Sequence, residues 1–153
     1  MSLAREIKKR NAFDDPRREA MLGILRTSDL LENRINRRLR EYSLTMSQYN
    51  AMRILRGEGS PLPVLEVARR MIQVAPAITR VVNRLIEAKL IKKHRCPHDG
   101  RVFRVGLTAK GTRLLDKLDA PIDELHQTLL ASLSDRQVST LIRTLDAVRD
   151  GID

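Results

Sequence analysis

The spacing of apolar residues changes character once along this 153-residue chain. On either side of the change they return at steps of three and four, the repeat of amphipathic helices. Over Leu90-Ile91-Lys92-Lys93-His94-Arg95 and Val102-Phe103-Arg104-Val105-Gly106-Leu107 that repeat is lost, and the composition suits strands. Cys96-Pro97-His98-Asp99-Gly100-Arg101 joins the two stretches and contains Pro and Asp-Gly, both turn formers. The chain is therefore expected to be mainly α with one small β-hairpin, basic at its tip. Its length suits one domain with one sizeable core.

The helices have readable ends. Asp15-Pro16 reads as an N-cap followed by Pro at the first helical position. Met21, Ile24, Ser28, Leu31, Ile35, Leu39 and Tyr42 then form one stripe of a long helix, with Leu22, Leu25 and Leu30 beside or off it. Thr45-Met46-Ser47-Gln48 reads as a capping box for the next helix, which turns Tyr49, Met52 and Leu55 inward and stops at Gly57-Glu58-Gly59-Ser60-Pro61. Val64, Val67, Ala68 and Met71 give a short third helix after Pro63, and Ala75-Pro76 opens a fourth. The fourth has a tight apolar stripe of Ile78, Val81, Val82, Leu85 and Ile86. Pro76, Ala77, Thr79, Arg80, Asn83, Arg84 and Glu87 occupy its other face. Thr108 caps a helix carrying Leu114, Leu115, Leu118, Ile122, Leu125, Leu129 and Leu133, and Pro121 within it predicts a kink or break near Asp119–Ala120. Ser134-Asp135 caps the last helix, with Val138, Leu141, Ile142, Leu145 and Val148 apolar.

Charge separates along the same boundaries. Residues 45–111 carry 13 basic and 4 acidic side chains, whereas residues 112–153 carry 5 and 8. Nearly all of the net +10 sits in this middle segment. A localised positive surface is what a nucleic-acid binder needs, because neutralised phosphates release counterions. Thr, Arg, Asn and Arg on the outer face of the fourth helix are side chains that reach base edges and phosphates. Four aromatic residues, none of them Trp, are too few for a binder that stacks single-stranded bases. Leucine-dense positions on the helices outside the basic middle point to a subunit interface.

Other chemistries find little support. No nucleophile–base pairing, paired carboxylates or Gly-rich phosphate loop emerges, so neither an enzyme nor a bound cofactor is expected. His126 stands alone on an apolar helix and reads as a packing or interface residue. His94, Cys96, His98 and Asp99 are metal-ligand types, but closed sites usually draw on more than one element, so no metal is expected. Cys96 is the single cysteine, which excludes an intrachain disulfide. Lys93, Arg95 and Arg101 near it favour a thiolate, which makes a redox-responsive regulator the alternative reading. With no second cysteine to resolve an oxidised thiol, an unreactive one is preferred. No apolar run is long enough to span a membrane, and the charged N-terminus is no secretory signal, so a cytoplasmic protein is expected.

In order and spacing, residues 44–111 resemble the MarR family of winged helix-turn-helix regulators. The matching pieces are Leu44-Thr45-x-x-Gln48, Val67-Ala68, the run Thr79–Glu87, Leu90-Ile91, Asp99-Gly100-Arg101 and Leu107-Thr108-x-x-Gly111. Two positions depart from the pattern. Lys89 stands where the family usually has a helix-ending Gly, which predicts a strained cap or a different helix end. Ala75 stands where a polar N-cap is expected. The resemblance implies one domain over residues 15–150, with a DNA-binding core at 44–111. Residues 15–43 and 112–150 would be dimerisation helices, and 1–14 a basic N-terminal arm. It implies a homodimeric repressor on palindromic double-stranded DNA, with Pro76, Thr79, Arg80, Asn83 and Arg84 in the major groove. Asp99 would orient Arg101 in the minor groove, and Arg95 and His98 would add phosphate contacts. It also implies a small aromatic or phenolic effector, for which Arg34, Arg38, Tyr49 and Met52 are candidates, although each also suits an ordinary surface or core position. A sequence-indifferent architectural DNA binder is the other alternative.

Overall fold

Asp15 begins the first long element as its sequence predicts: its carboxylate accepts from the Arg17 amide and Pro16 occupies the first helical position. The computed structural model describes residues 2–73, 78–95 and 103–152. In chain order the elements are α1 (Leu3–Glu6), α2 (Pro16–Arg40), α3 (Met46–Glu58), β1 (Leu62–Pro63) and α4 (Val64–Arg69), followed by α5 (Ile78–Glu87), β2 (Ile91–Arg95), β3 (Phe103–Leu107), α6 (Ala109–Leu130) and α7 (Asp135–Asp150). The capping box of Thr45 and Gln48 opens α3, and Gly59, in the left-handed region at φ 73°, ends it. Thr108 caps α6 by accepting from the Gly111 amide. Ser134 and Gln137 form a second capping box at α7.

The hairpin is present and gains a third strand. β2 and β3 pair antiparallel, with Ile91 opposite Leu107 and Arg95 opposite Phe103. β1 adds to the other edge of β3, placing Leu62 opposite Val105, so the strand order is β1-β3-β2. Two residues are too few to show a period, which is why the sequence pattern misses β1. The short helix α1 likewise lies within the stretch read as an N-terminal arm, and its Glu6 accepts from Arg26 of α2 at 2.8 Å.

Of the kink or break expected near Asp119–Ala120, the break does not occur: Pro121 leaves α6 continuous. The element runs as one helix from Ala109 to Leu130 with Pro121 inside it. Side chains before and after the proline are anchored: Leu115, Leu118 and Ile122 are buried in the core. Burial of such side chains stabilises by about 1.5–3 kcal/mol each, which offsets the roughly 3 kcal/mol a helix-interior proline costs.

One core holds these elements together. Leu39 of α2, Met52 and Leu55 of α3, Val67 of α4, Leu85 of α5, Ile91 and Val105 of the sheet and Leu115 and Leu118 of α6 meet in it. The junction of α5, β2 and α6 is closed by backbone groups. Lys89 has φ 59°, its amide donates to Ile86 at 2.8 Å and the Leu90 amide donates to Leu85 at 2.9 Å. This is the left-handed helix end that glycine normally supplies. Thr108 Oγ lies 2.7 Å from the Lys89 carbonyl oxygen, and the Thr108 amide donates to Leu90. A Cβ at Gly111 would overlap the Leu90 carbonyl oxygen, so the glycine in the Leu107-Thr108-x-x-Gly111 run is demanded by close approach.

Candidate nucleic-acid interface

α5 is held by its inner side and presents its outer one. Val82 and Leu85 are buried, and Ile78, Val81 and Ile86 pack partly against the core. Thr79, Arg80, Asn83, Arg84 and Glu87 are exposed. Together these five form one continuous exposed face of α5. Arg84 reaches Glu87 at 3.5 Å with both side chains largely in water. Such a pair holds by at most about 1 kcal/mol, so the guanidinium can turn to a phosphate at little cost. Among the described residues, Arg80 forms no ion pair.

The stem of the hairpin is positive as well. Lys92, Lys93, Arg95 and Arg104 are exposed on β2 and β3. Lys93 sits over the Phe103 ring, 5.5 Å from its centre, which steadies a flexible cation on a half-exposed aromatic face. The structure thus brings Thr79, Arg80, Asn83 and Arg84 onto one surface and places Arg95 on the adjoining strand. Pro76, Cys96, His98, Asp99 and Arg101 lie outside the described residues, and so does Ala75. The metal-ligand types noted at the hairpin share that position, apart from His94 on β2. Among the described residues, no cluster of three or more His, Cys, Asp or Glu is suited to a metal.

The four effector candidates lie on α2 and α3. Met52 is fully buried in the core. Arg34 is exposed, and Arg38 donates to Glu41 at 3.1 Å. Tyr49 is half-buried, and burial pushes its phenol above the usual range against the pull of Arg53. His126 is exposed on α6 within this chain.

Two polar networks escape the sequence pattern. Arg56 of α3 donates to Asp119 of α6 at 2.9 and 2.5 Å and to Asp116 at 3.3 Å, and Arg53 donates to Asp119 at 3.1 Å. Those hydrogen bonds hold the Asp119 carboxyl below its ordinary pKa, with the Arg56 guanidinium the largest cause. Elsewhere, Gln73 donates to Glu32 of α2 at 2.8 Å and the Ile72 amide donates to Asn50 of α3 at 2.9 Å. Polar residues on helices read as solvated faces from sequence, and their partners are 22 to 66 residues away.

Known proteins share this arrangement. A DNA complex of MepR from S. aureus superposes with a TM-score of 0.77 over 86% of this chain and 97% of its own, at 21% identity. The family model for the transcriptional regulator SarA/Rot matches residues 34–118. A MarR transcription factor from Planctomyces limnophilus is 32% identical, covers 89% of this chain and 99% of its own, and has a TM-score of 0.68. The chain belongs to the MarR/SarA family of transcriptional regulators. The HTH-type transcriptional repressor IacR of Pseudomonas putida is 28% identical over 114 residues, 74% of this chain and 68% of IacR. In this MarR-type regulator, α3, α4 and α5 form the helical part of the winged helix, and β2 and β3 are the stem of the wing. The family acts in transcription and not as an enzyme. Among the described residues, no helix is long and apolar enough to cross a membrane.

Proposed function

We propose that this regulator binds a specific, roughly palindromic double-stranded DNA operator as a homodimer and represses transcription in the cytoplasm. The observation that carries the reading is the exposed Thr79, Arg80, Asn83 and Arg84 face on a helix whose opposite side is locked in the core. A helix held this way presents donors at fixed spacing, which major-groove recognition requires. Pro76 would lie at the start of that face, and Arg95 and His98 would contact phosphates. Asp99 would orient Arg101 toward the minor groove, where a planar guanidinium suits the narrow negative trough. Exposed Met21, Leu25 and Leu30 on α2 and Ile142 and Val148 on α7 support pairing with a second copy. A small aromatic or phenolic effector would act by favouring one separation of the two reading heads over the other.

Competition binding tests this. A duplex selected by the protein from a random pool is expected to stay bound against a large excess of unrelated duplex. Equal competition by random DNA would replace the reading with that of an architectural binder. Loss of binding after mild peroxide, rescued by Cys96→Ser, would favour redox control instead.

A further inference from the structure

The segment that leads into the reading helix is tied to two other helices. Ile72 donates its amide to Asn50 of α3 at 2.9 Å, and Gln73 donates from Nε2 to Glu32 of α2 at 2.8 Å. Five positions further on is Ile78, the first residue of α5. Arg70, just before, donates to Glu58 at the end of α3 and to Glu66 of α4, each at 2.7 Å. The cleft between Met46, Asn50, Met71 and Gln73 encloses only about 10 Å³, so the segment lies closely against α3.

Glu32 has an informative place on α2. N-terminal to it, Met21, Leu25 and Leu30 are exposed; C-terminal to it, Leu39 is buried in the core. One turn on, Asn36 accepts from the Met46 amide at 3.0 Å, fixing the first turn of α3. A single face of α2 therefore holds both α3 and the approach to α5. The Gln73 bond is part-buried, and a carboxylate acceptor makes it a strong one.

We propose that Glu32 and Gln73 are positioning residues that set the placement of the reading helix relative to α2. Through α2 they set the separation of the two reading heads, and hence the half-site spacing that the protein selects. This rests on the homodimeric, operator-binding reading above. Neither residue needs to touch DNA: a tie between the subunit-joining helix and the segment ahead of the reading head converts geometry at the joint into register on the duplex.

The test uses the full chain and a duplex selected from a random pool by the unaltered protein. Three variants are compared: Glu32→Gln, Gln73→Glu, and the two together. Glu32→Gln keeps an acceptor oxygen. Gln73→Glu sets two carboxylates against each other. The double swap restores a donor and an acceptor with the roles exchanged. Each is read on the selected duplex, on duplexes with one base pair added or removed between half-sites, and on a single half-site. Gln73→Glu is expected to lose about tenfold in discrimination between spacings, with half-site affinity unchanged and the double swap restoring it. Unchanged discrimination in Gln73→Glu, or equal loss on every duplex including the half-site, would overturn the proposal while leaving operator binding intact. Failure of the unaltered protein to select any spaced pair of half-sites would remove the functional reading and this inference together. Thermal melts of all three variants show whether a loss reflects unfolding, and a Gln73→Glu loss that tracks melting and is not restored by the swap also overturns the proposal.

Discussion

Lys89 shows how far a single residue can be read. The sequence places a lysine where a helix-ending glycine is usual, and the structure holds it at φ 59° in the left-handed region. That conformation costs an L-residue roughly 1–2 kcal/mol, which Gly avoids, while Gly loses some of the gain through a freer unfolded chain. The Lys89 side chain is exposed, so removing it takes little from the fold. Lys89→Gly is expected to stabilise the protein by about 1 kcal/mol, a rise in Tm of about 3 °C by calorimetry. Gly111 was legible as a motif, but its reason, the Leu90 carbonyl oxygen against it, needed three dimensions. The expected role of Arg101 rests on chemistry and resemblance alone. Arg101→Ala is expected to weaken operator binding by about 1–3 kcal/mol in a band-shift titration, with an unchanged melting temperature.

At the scale of elements, local signals were the reliable ones. Asp15, Thr45, Thr108 and Ser134 announce their helices because a cap acts within three residues of itself. β1 is invisible because its two residues are a strand only by virtue of β3, some forty positions later. Pro121 misleads for a related reason: what keeps α6 continuous lies on both sides of it, in core contacts and in the ion pairs of Asp119 with Arg53 and Arg56. Those pairs have a pH signature. Asp119 titrates below its unfolded value, so its contribution is present above that unfolded pKa and is lost as pH falls through the folded one. Asp119→Asn is expected to lower stability at neutral pH and to flatten the acid side of the stability–pH curve below about pH 4, measured by urea melts across pH. An unchanged acid limb would show that the pair contributes no linkage.

For the whole molecule, the apolar periods and the single hairpin indicated the mainly α class, and the ordered run of motifs over residues 44–111 indicated the winged-helix architecture. The exposed face of α5 was legible too, because a ten-residue helix with one buried side has its other side determined. The ties at Glu32 and Gln73 were not, since nothing in a polar residue's type says which distant helix it will meet. Placing Ile142, which is 55% exposed within the chain, against a second copy predicts that Ile142→Asp shifts the protein toward monomer in sedimentation velocity and weakens operator binding about tenfold or more. Binding by the unaltered protein is expected to fall steeply between 50 and 200 mM salt, as about six or more phosphate contacts would require.

α7 contains no buried residue within its own chain, although its N-terminus is doubly capped. Sixteen residues that gain so little from their own fold are marginal as an isolated helix in water. If the second copy proposed above covers α7, its persistence depends on how much of the protein a cell contains. At low copy number this tail would fray and be open to proteases, so scarcity would hasten its own degradation and sharpen the threshold at which the regulated genes escape control.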